Sequence, residues 1–154
     1  MIRRAEIRDI DQILELLKQV LNIHHQIRPD IFKSGVTKYT KDELKTIISE
    51  QKMMIYVYDE NGEILGHLFC FEEKNSETNN LLAYHSLFID DICVKETKRS
   101  QGIGRELFNF AKQYATEHHI DSITLNVYYD NKDAIGFYQK MGMTIKKCIY
   151  EMKL

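Results

Sequence analysis

The sequence has few of the residues that build linkers, disulfide frameworks or membrane spans. Pro29 is its only proline, and no repeat or low-complexity tract divides the 154 residues. The three cysteines, Cys70, Cys93 and Cys148, are odd in number and far apart, which predicts reduced, buried thiols in a cytosolic protein. No apolar stretch approaches a membrane span, and the first residues lack the apolar core of a secretory signal. We therefore expect a cytoplasmic protein with no membrane partner.

The sequence also has little net charge. The formal charge is -2, and the lysines and arginines are dispersed along the chain, which argues against a sequence-independent nucleic-acid binder. A hydrophobic content of 44% over this length suits one domain with its own core. We therefore expect a single domain over residues 1–154 and no nucleic-acid partner.

Hydrophobic periodicity predicts strands with interspersed helices, which indicates an α/β fold around a mixed sheet. Asn61-Gly62 is a hairpin signal, and the helix after residue 102 is expected to cross over between two parallel strands. The predicted strands are 2–7, 53–59, 63–72, 86–94, 122–129 and 144–153, and the predicted helices are 9–21, 40–51, 102–118 and 131–141.

The most informative stretch is FIDDICVKETKRSQGIGR, residues 88–105. An apolar strand with two aspartates leads into Arg99, Gly102 and Gly104, and an amphipathic helix follows at once. The N–H groups of a first helical turn and the helix dipole attract anions, and the glycines let a diphosphate approach the backbone. By itself, the pattern equally fits a tight turn that leads into a surface helix.

This stretch does not match either of two known nucleotide-binding motifs. Leu107 stands where the dinucleotide fingerprint needs its third glycine, and no Gly-Lys-Ser/Thr follows a glycine-rich spacer. The stretch is still compatible with a ligand that carries phosphate. A nucleotide-dependent dehydrogenase or an NTPase is excluded as the class of protein.

A second segment, ITLNVYYDNKDAIGFYQKMGM, spans residues 123–143. Its strand passes into Asn131, a good helix cap, and Gly142 stops the short helix that follows. Tyr138 lies on the apolar stripe of that helix, so its hydroxyl needs a partner or a ligand. The simpler interpretation is that Tyr138 is a core residue whose hydroxyl forms a hydrogen bond within the protein.

Together these segments resemble the GNAT superfamily of acyl-CoA N-acyltransferases, and the first strand and helix of the chain are also similar to that superfamily. The resemblance implies a mixed, mostly antiparallel sheet with helices on both faces, and acetyl-CoA as co-substrate without a metal. In the superfamily, the tyrosine that Tyr138 matches commonly serves as general acid. Many members have glycine after the arginine, where this chain has Ser100. The cofactor residues that the resemblance implies are Ile92, Cys93, Val94, Arg99, Ser100, Gln101, Gly102, Ile103, Gly104, Arg105, Asn131, Ala134 and Phe137.

The adjacent aspartates, Asp90 and Asp91, are the candidates for handling the amine proton. A primary amine with a pKa of ~10.4 is mostly charged at pH 7, so its neutral form costs roughly 4–5 kcal/mol. A carboxylate in the cleft would collect that proton and select a cationic substrate. On a regular strand, only one of the two would face the cleft unless a bulge rotates the other. By resemblance to polyamine acetyltransferases, Asp90 ranks first; an ion pair with a nearby lysine or arginine is the alternative for either.

Other candidates are less specific. Cys93 raises a covalent acyl-cysteine route, but no histidine stands at a spacing that would activate it. His24 and His25 are adjacent, without further spaced ligands, so a metal site is not expected. Polyamine enzymes carry an acid near the position of His24, so this chain departs from their pattern. The candidate acceptor-site residues are His24, His25, Arg28, Asp90 and Asn126.

The expected function is an N-acetyltransferase that moves an acetyl group from acetyl-CoA to a primary amine, either a small molecule or a protein amine. The expected mechanism is direct transfer in a ternary complex. The rival function is a non-catalytic acyl-CoA-binding module, which would need neither Asp90 nor Tyr138. The acceptor and the oligomeric state are left open, a homodimer included.

Overall fold

The computed structural model describes residues 1–51 and 53–154. It forms an α/β fold in which four helices flank one five-stranded mixed sheet. The elements are β1 (Ile2–Arg4), α1 (Ile10–Ile27), α2 (Lys41–Glu50), β2 (Met54–Glu60), β3 (Glu63–Asn75), β4 (Tyr84–Val94), α3 (Ile103–Glu117), β5 (Ser122–Leu125) and α4 (Lys132–Lys140), with short 3-10 turns at Ile7–Asp9 and Glu96–Lys98.

The strands lie in chain order, β1-β2-β3-β4-β5. The first four are antiparallel, and β5 runs parallel to β4, so α3 makes the predicted crossover between them. The β2–β3 hairpin turns at Asn61 and Gly62, both with positive φ, which confirms the hairpin signal. The predicted fold class is confirmed.

Local capping explains where two of the helices begin. The hydroxyl of Thr40 accepts a hydrogen bond from the N–H of Glu43, and the carboxylate of Glu43 accepts one from the N–H of Thr40. The side chain of Asn131 accepts a bond from the N–H of Ala134 at the start of α4.

Each face of the sheet carries its own apolar core. One cluster packs α3 against the sheet around Leu68, Leu87 and Leu107, and the other packs α1 and α2 on the opposite face. Gly66 lets β3, β4 and α3 approach closely, because a Cβ there would lie 2.7 Å from the Cys93 carbonyl oxygen and 3.1 Å from Leu107. No helix in the two described ranges is long and apolar enough to cross a membrane.

Several predicted boundaries are wrong. The strand expected at 2–7 ends at Arg4, and the helix expected at 9–21 continues to Ile27, where Arg28 precedes Pro29 and leaves the helical conformation. The strand expected at 122–129 ends at Leu125, the last residue that pairs with β4.

The strand predicted over 144–153 is absent. Residues 143–154, which we call the C-terminal arm, have no strand assignment and are almost entirely exposed. Cys70 and Cys93 are buried as expected, but Cys148 lies in this arm and is exposed, which corrects the prediction for that thiol.

Candidate active site

A cleft opens where β4 and β5 separate. Their pairing ends at Ile89 and Leu125, while β4 continues to Val94 with β3 as its strand partner. The side of residues 90–94 that faces away from β3 is therefore left without a strand across the described chain. Backbone N–H groups along such an opening are available to a ligand.

A β-bulge brings both aspartates to the same face of the sheet. Asp91 pairs with Phe69 and Ile89 with Cys70, so Asp90 is the extra residue of the bulge. The side chain of Asp91 bonds to His67, and that of Asp90 bonds to Tyr39, whose ring stacks on Phe69 at 5.8 Å. Both carboxylates thus point toward the face that α1 and α2 cover.

The carboxylate of Asp90 is held by two partners. It accepts hydrogen bonds from Lys38 Nζ at 2.8 Å and from the Tyr39 hydroxyl at 2.9 Å. Burial and this bond to Asp90 raise the pKa of Tyr39, so its hydroxyl stays a donor. An ion pair with a nearby lysine or arginine was the alternative role for either aspartate, and Asp90 forms such a pair with Lys38.

Asp91 pairs instead with a buried histidine. The two are joined by a 2.5 Å contact between His67 Nε2 and Asp91 Oδ2, and the His67 side chain is fully buried. His67 Nδ1 is the buried side-chain N or O atom that lacks a hydrogen-bond partner in the described chain. A proton on Nδ1 would therefore be an unpaired buried donor, whereas a proton on Nε2 is donated to the Asp91 carboxylate.

The phenol of Tyr138 lies half-buried on α4. Burial first, and then the neighbouring Asp91 carboxylate and Cys93 thiol, raise its pKa above the usual value. The phenol is therefore protonated throughout the neutral range. Within the described residues, no hydrogen bond ties its hydroxyl, which leaves that group available to a ligand.

Three rings form a wall beside the aspartates. The His24 ring lies 4.8 Å from that of Phe32 and 6.3 Å from that of Tyr128. Burial is the main cause that lowers the pKa of His24, with an opposing effect from Asp91, so the ring is neutral at pH 7. An aromatic wall next to carboxylates is suited to an amine cation.

The other predicted acceptor-site residues surround this wall without forming one cluster. His25 Nδ1 lies 2.7 Å from the Phe32 carbonyl oxygen, which fixes the loop after α1. Arg28 forms a two-pronged bond with Asp30. Asn126 is exposed, one residue beyond the last paired residue of β5.

The predicted phosphate loop is well formed for an anion. Ser100 and Gly102 have positive φ, and Gly102 caps α3. The first helical bond runs from Glu106 N–H to the Gly102 carbonyl, so the N–H groups of Ile103, Gly104 and Arg105 have no acceptor within the helix. Arg99, Ser100 and Gln101 are exposed around them. These residues fit a diphosphate.

Gly104 links the two predicted cofactor segments. A Cβ at this position would lie 3.5 Å from the Phe137 ring and 3.6 Å from Val94, which are ordinary contacts. Phe137 in turn lies 5.4 Å from the ring of Tyr138. The phosphate loop, the open end of β4 and the Tyr138 phenol are thus neighbours.

The surroundings of the Cys93 thiol do not favour a role as nucleophile. Its side chain is buried, and it lies 3.2 Å from Gln19 Nε2. Burial, reinforced by the Asp91 carboxylate, raises the pKa of Cys93 to about 12. A covalent route would need the thiolate, which these surroundings disfavour. Residues 1–51 and 53–154 contain no group of three or more His, Cys, Asp or Glu that could hold a metal ion.

Several site residues were not identified from the sequence. These residues are His67, Lys38, Tyr39, Phe32 and Tyr128. They reach the aspartates through strand register and the path of the loop after α1, which leave no motif in the chain. The bulge itself has no local sequence signal beyond the two aspartates.

Comparison with known proteins identifies this arrangement. The model of the Acetyltransferase (GNAT) family matches residues 17–143, and the chain belongs to that family. It is therefore an N-acetyltransferase by family, and the predicted recognition is confirmed.

Individual relatives agree. The streptothricin acetyltransferase of Escherichia coli is 26% identical over 131 residues, which cover 84% of this chain and 70% of that protein. The 5-NmdU N-acetyltransferase of Pseudomonas phage PaMx11 is 30% identical over 71% of this chain and 74% of its own length. The solved structure of a tetramutant of the BH1408 protein from Bacillus halodurans is 30% identical, with a TM-score of 0.95 over 100% of this chain and 99% of that one, so the alignment includes the C-terminal arm.

Proposed function

We propose that this N-acetyltransferase moves an acetyl group from acetyl-CoA directly to a primary amine while both are bound, in a domain that spans residues 1–154. The observation that carries the proposal is the convergence of both aspartates and the Tyr138 phenol on the cleft between β4 and β5. Acetyl-CoA supplies the acetyl group as a thioester.

Asp91 is the carboxylate that we propose as acceptor of the amine proton, ahead of Asp90. The sequence-based ranking put Asp90 first, but Lys38 and Tyr39 already engage its oxygens. Asp91 lies close enough to Tyr138 and His24 to influence the pKa of both. His67 acts as a positioning residue, because its Nε2 proton fixes the orientation of the Asp91 carboxylate.

Tyr138 is proposed as the proton donor to the departing thiolate. Its raised pKa keeps the proton on the phenol at neutral pH, so the donor form is always populated. The thiol pKa of ~8.5 lies below the ~10 of an ordinary phenol, and burial widens that difference, so the proton transfer depends on the phenol being held close to the sulfur. The N–H groups of Ile92 to Val94 would polarise the acyl carbonyl.

The proposed acceptor is a small cationic amine. Asp90 with Lys38 contributes recognition at the cleft, and the ring wall of His24, Phe32 and Tyr128 supplies an apolar and aromatic surface. The streptothricin acetyltransferase among the relatives supports a small acceptor rather than a protein amine.

The cofactor part of the proposal is tested by thermal unfolding with acetyl-CoA. A ligand at 100 times its Kd stabilises the native state by about 2.7 kcal/mol, which is a shift of about 5–10 °C for a domain of this size. Gly104→Asp should abolish the shift, because a carboxylate would stand against the diphosphate. Gly104→Ala is the matched control, since its Cβ makes only ordinary contacts. A full shift in Gly104→Asp would place the phosphate site elsewhere.

The catalytic part is tested by screening amines with acetyl-CoA and measuring free thiol. Release of thiol that depends on the amine, with N-acetyl product identified by mass spectrometry, is the expected result. A thermal shift with acetyl-CoA, but no thiol release across diamines, aminoglycosides, nucleoside amines and peptides, would favour the binding module instead.

A further inference from the structure

The loop between α1 and α2 carries a primary amine into the proposed acceptor site. Lys38 Nζ lies 2.8 Å from Asp90 Oδ1 and 3.5 Å from the Asp90 carbonyl oxygen. Lys41, at the start of α2, pairs instead with Asp11 on α1. The Lys38 ammonium therefore occupies the carboxylate that we assign to recognition of a cationic acceptor.

The residues on either side of Lys38 fix this position. The Tyr39 ring stacks on Phe69 of β3 at 5.8 Å, and its hydroxyl donates to the other oxygen of Asp90 at 2.9 Å. The Thr37 hydroxyl donates to the Tyr39 carbonyl oxygen at 2.6 Å, which tightens the loop around Lys38. Because both neighbours are tied down, the location of the amine follows from the path of the loop.

The Lys38 ammonium also lies near the ring wall. Burial is the main cause that lowers the pKa of His24; the Asp91 carboxylate opposes this effect and the Lys38 ammonium reinforces it. Charges act on a side chain in this way only over short distances. The lysine amine, the His24 ring and the carboxylate proposed to take the amine proton thus surround one space.

The Lys38 side chain has room to move toward the acyl group. It is 45% exposed, and a lysine carries its charge on a flexible four-carbon stem, so the amine can leave Asp90 while the loop stays in place. Ile92, where the open N–H groups begin, lies two residues farther along β4, which is at most roughly 7 Å in a strand. A movement of the stem over that distance would bring Nζ to a thioester carbonyl bound to those groups.

We propose that, when no external amine is bound, this chain transfers the acetyl group of acetyl-CoA to its own Lys38. The inference rests on the proposed function and uses the same groups. The ammonium gives one proton to Asp91, which passes it to water, and the neutral nitrogen attacks the thioester carbonyl carbon. The carbon–nitrogen bond forms, the carbon–sulfur bond breaks, and Tyr138 protonates the departing sulfur.

The protons balance across this transfer. The nitrogen loses a second proton after the attack, and that proton replaces the one that the phenol gave to sulfur. The products are acetyl-lysine, the free thiol of CoA and one proton released to water. No other reactant is needed.

Acetylation would change the acceptor site. It removes the positive charge of Lys38, so the ion pair with Asp90 is lost while the bond from Tyr39 remains. The charge of Asp90 is then free for an external ammonium. An amine that binds first would occupy the same space and protect Lys38, so we expect internal and external acceptors to compete.

Mass spectrometry of the purified chain tests the proposal. A chain whose starting mass shows no acetyl group is incubated with acetyl-CoA alone. The intact mass should rise by about 42 Da, which is one acetyl group, and peptide sequencing should place it on Lys38. A held amine reacts far faster than a free one, so Lys38 should be acetylated at least about 100-fold faster than the exposed Lys33 and Lys41. The rate should not depend on protein concentration, because the transfer is within one chain.

Three variants separate transfer in the site from simple chemical acetylation. Lys38→Arg keeps a positive charge beside Asp90 but has no amine that accepts an acetyl group, so the mapped product should be lost. Lys41→Arg is the matched control at the start of α2, and it should leave the acetylation rate of Lys38 unchanged. Tyr138→Phe should slow acetylation of Lys38 without affecting that of Lys33.

A parallel assay of thiol release with external amines distinguishes this inference from the proposed function. Turnover of an external amine by a chain that never acetylates Lys38 overturns the inference alone. Absence of both reactions overturns both. Acetylation of Lys38 no faster than that of Lys33, or at a rate proportional to protein concentration, also overturns the inference, because the transfer would then be non-enzymatic or between chains.

Discussion

The two halves of β4 differ in their neighbours and, with them, in their chemistry. Residues 86–89 lie between β3 and β5, and Leu87 and Ile89 are buried in the core. Residues 90–94 keep only β3, and this half carries both aspartates and the open N–H groups. A strand that is paired on both sides has no backbone groups left for a ligand, so the scaffold and the site divide at the residue where β5 stops.

Tyr138→Phe is expected to have the largest effect on the site half. The ring packing is kept and only the hydroxyl is lost, so folding and acetyl-CoA affinity should change little. If the phenol protonates the leaving thiolate, the single-turnover rate should fall by about 10²–10⁴. Equal losses in kcat and kcat/KM would mark an interaction made in the transition state. A nearly unchanged single-turnover rate would make Tyr138 a packing residue.

Leu87→Ala should have a comparable effect on the scaffold half, but on stability. Its side chain is fully buried, so truncation should cost about 2–5 kcal/mol of unfolding free energy. Urea titration measures this loss, and the rate per folded molecule should stay at the wild-type value. A large loss of rate in the folded variant would mean that the two halves are not separate.

Asp91→Asn should act chiefly through the amine proton. We expect turnover to fall by about 10² at pH 7 and much less at pH 9, where about 100 times more of an amine with a pKa of ~10.4 is neutral. The pH dependence of kcat/KM against wild type is the measurement. A loss that is equal at both pH values would argue for recognition or positioning instead. His67→Gln, which keeps a donor, should reproduce part of the loss if His67 orients Asp91.

Asp90→Asn is expected to have the smallest effect. The amide can still accept the Tyr39 bond, and only the ion pair with Lys38 and its contribution to cation recognition are lost. KM for the amine should rise by about 2–5-fold with little change in kcat. A pH-dependent loss as large as that of Asp91→Asn would restore the sequence-based ranking of Asp90.

The contrast within β4 also explains what the sequence could predict. The Asn-Gly turn, the Asn131 cap and the glycines before α3 are local signals, and each was found at the expected place. The bulge and the His67 pairing depend on how β3 and β4 register, which residues far apart in the chain decide together. The strand expected in the arm was wrong because alternation shows that a segment is able to pair with another strand, not that it does.

Gly66 has no side chain to contribute to the chemistry, yet as the strand partner of Val94 it sets the position of the main chain that would hold the acyl group. A methyl group there would press on the Cys93 carbonyl at 2.7 Å, a distance that packed atoms do not tolerate. Relief would move the end of β4 and turn the neighbouring amides with it. The lack of a side chain at Gly66 on β3 therefore sets the dimensions of the acyl pocket, although no substrate touches that strand.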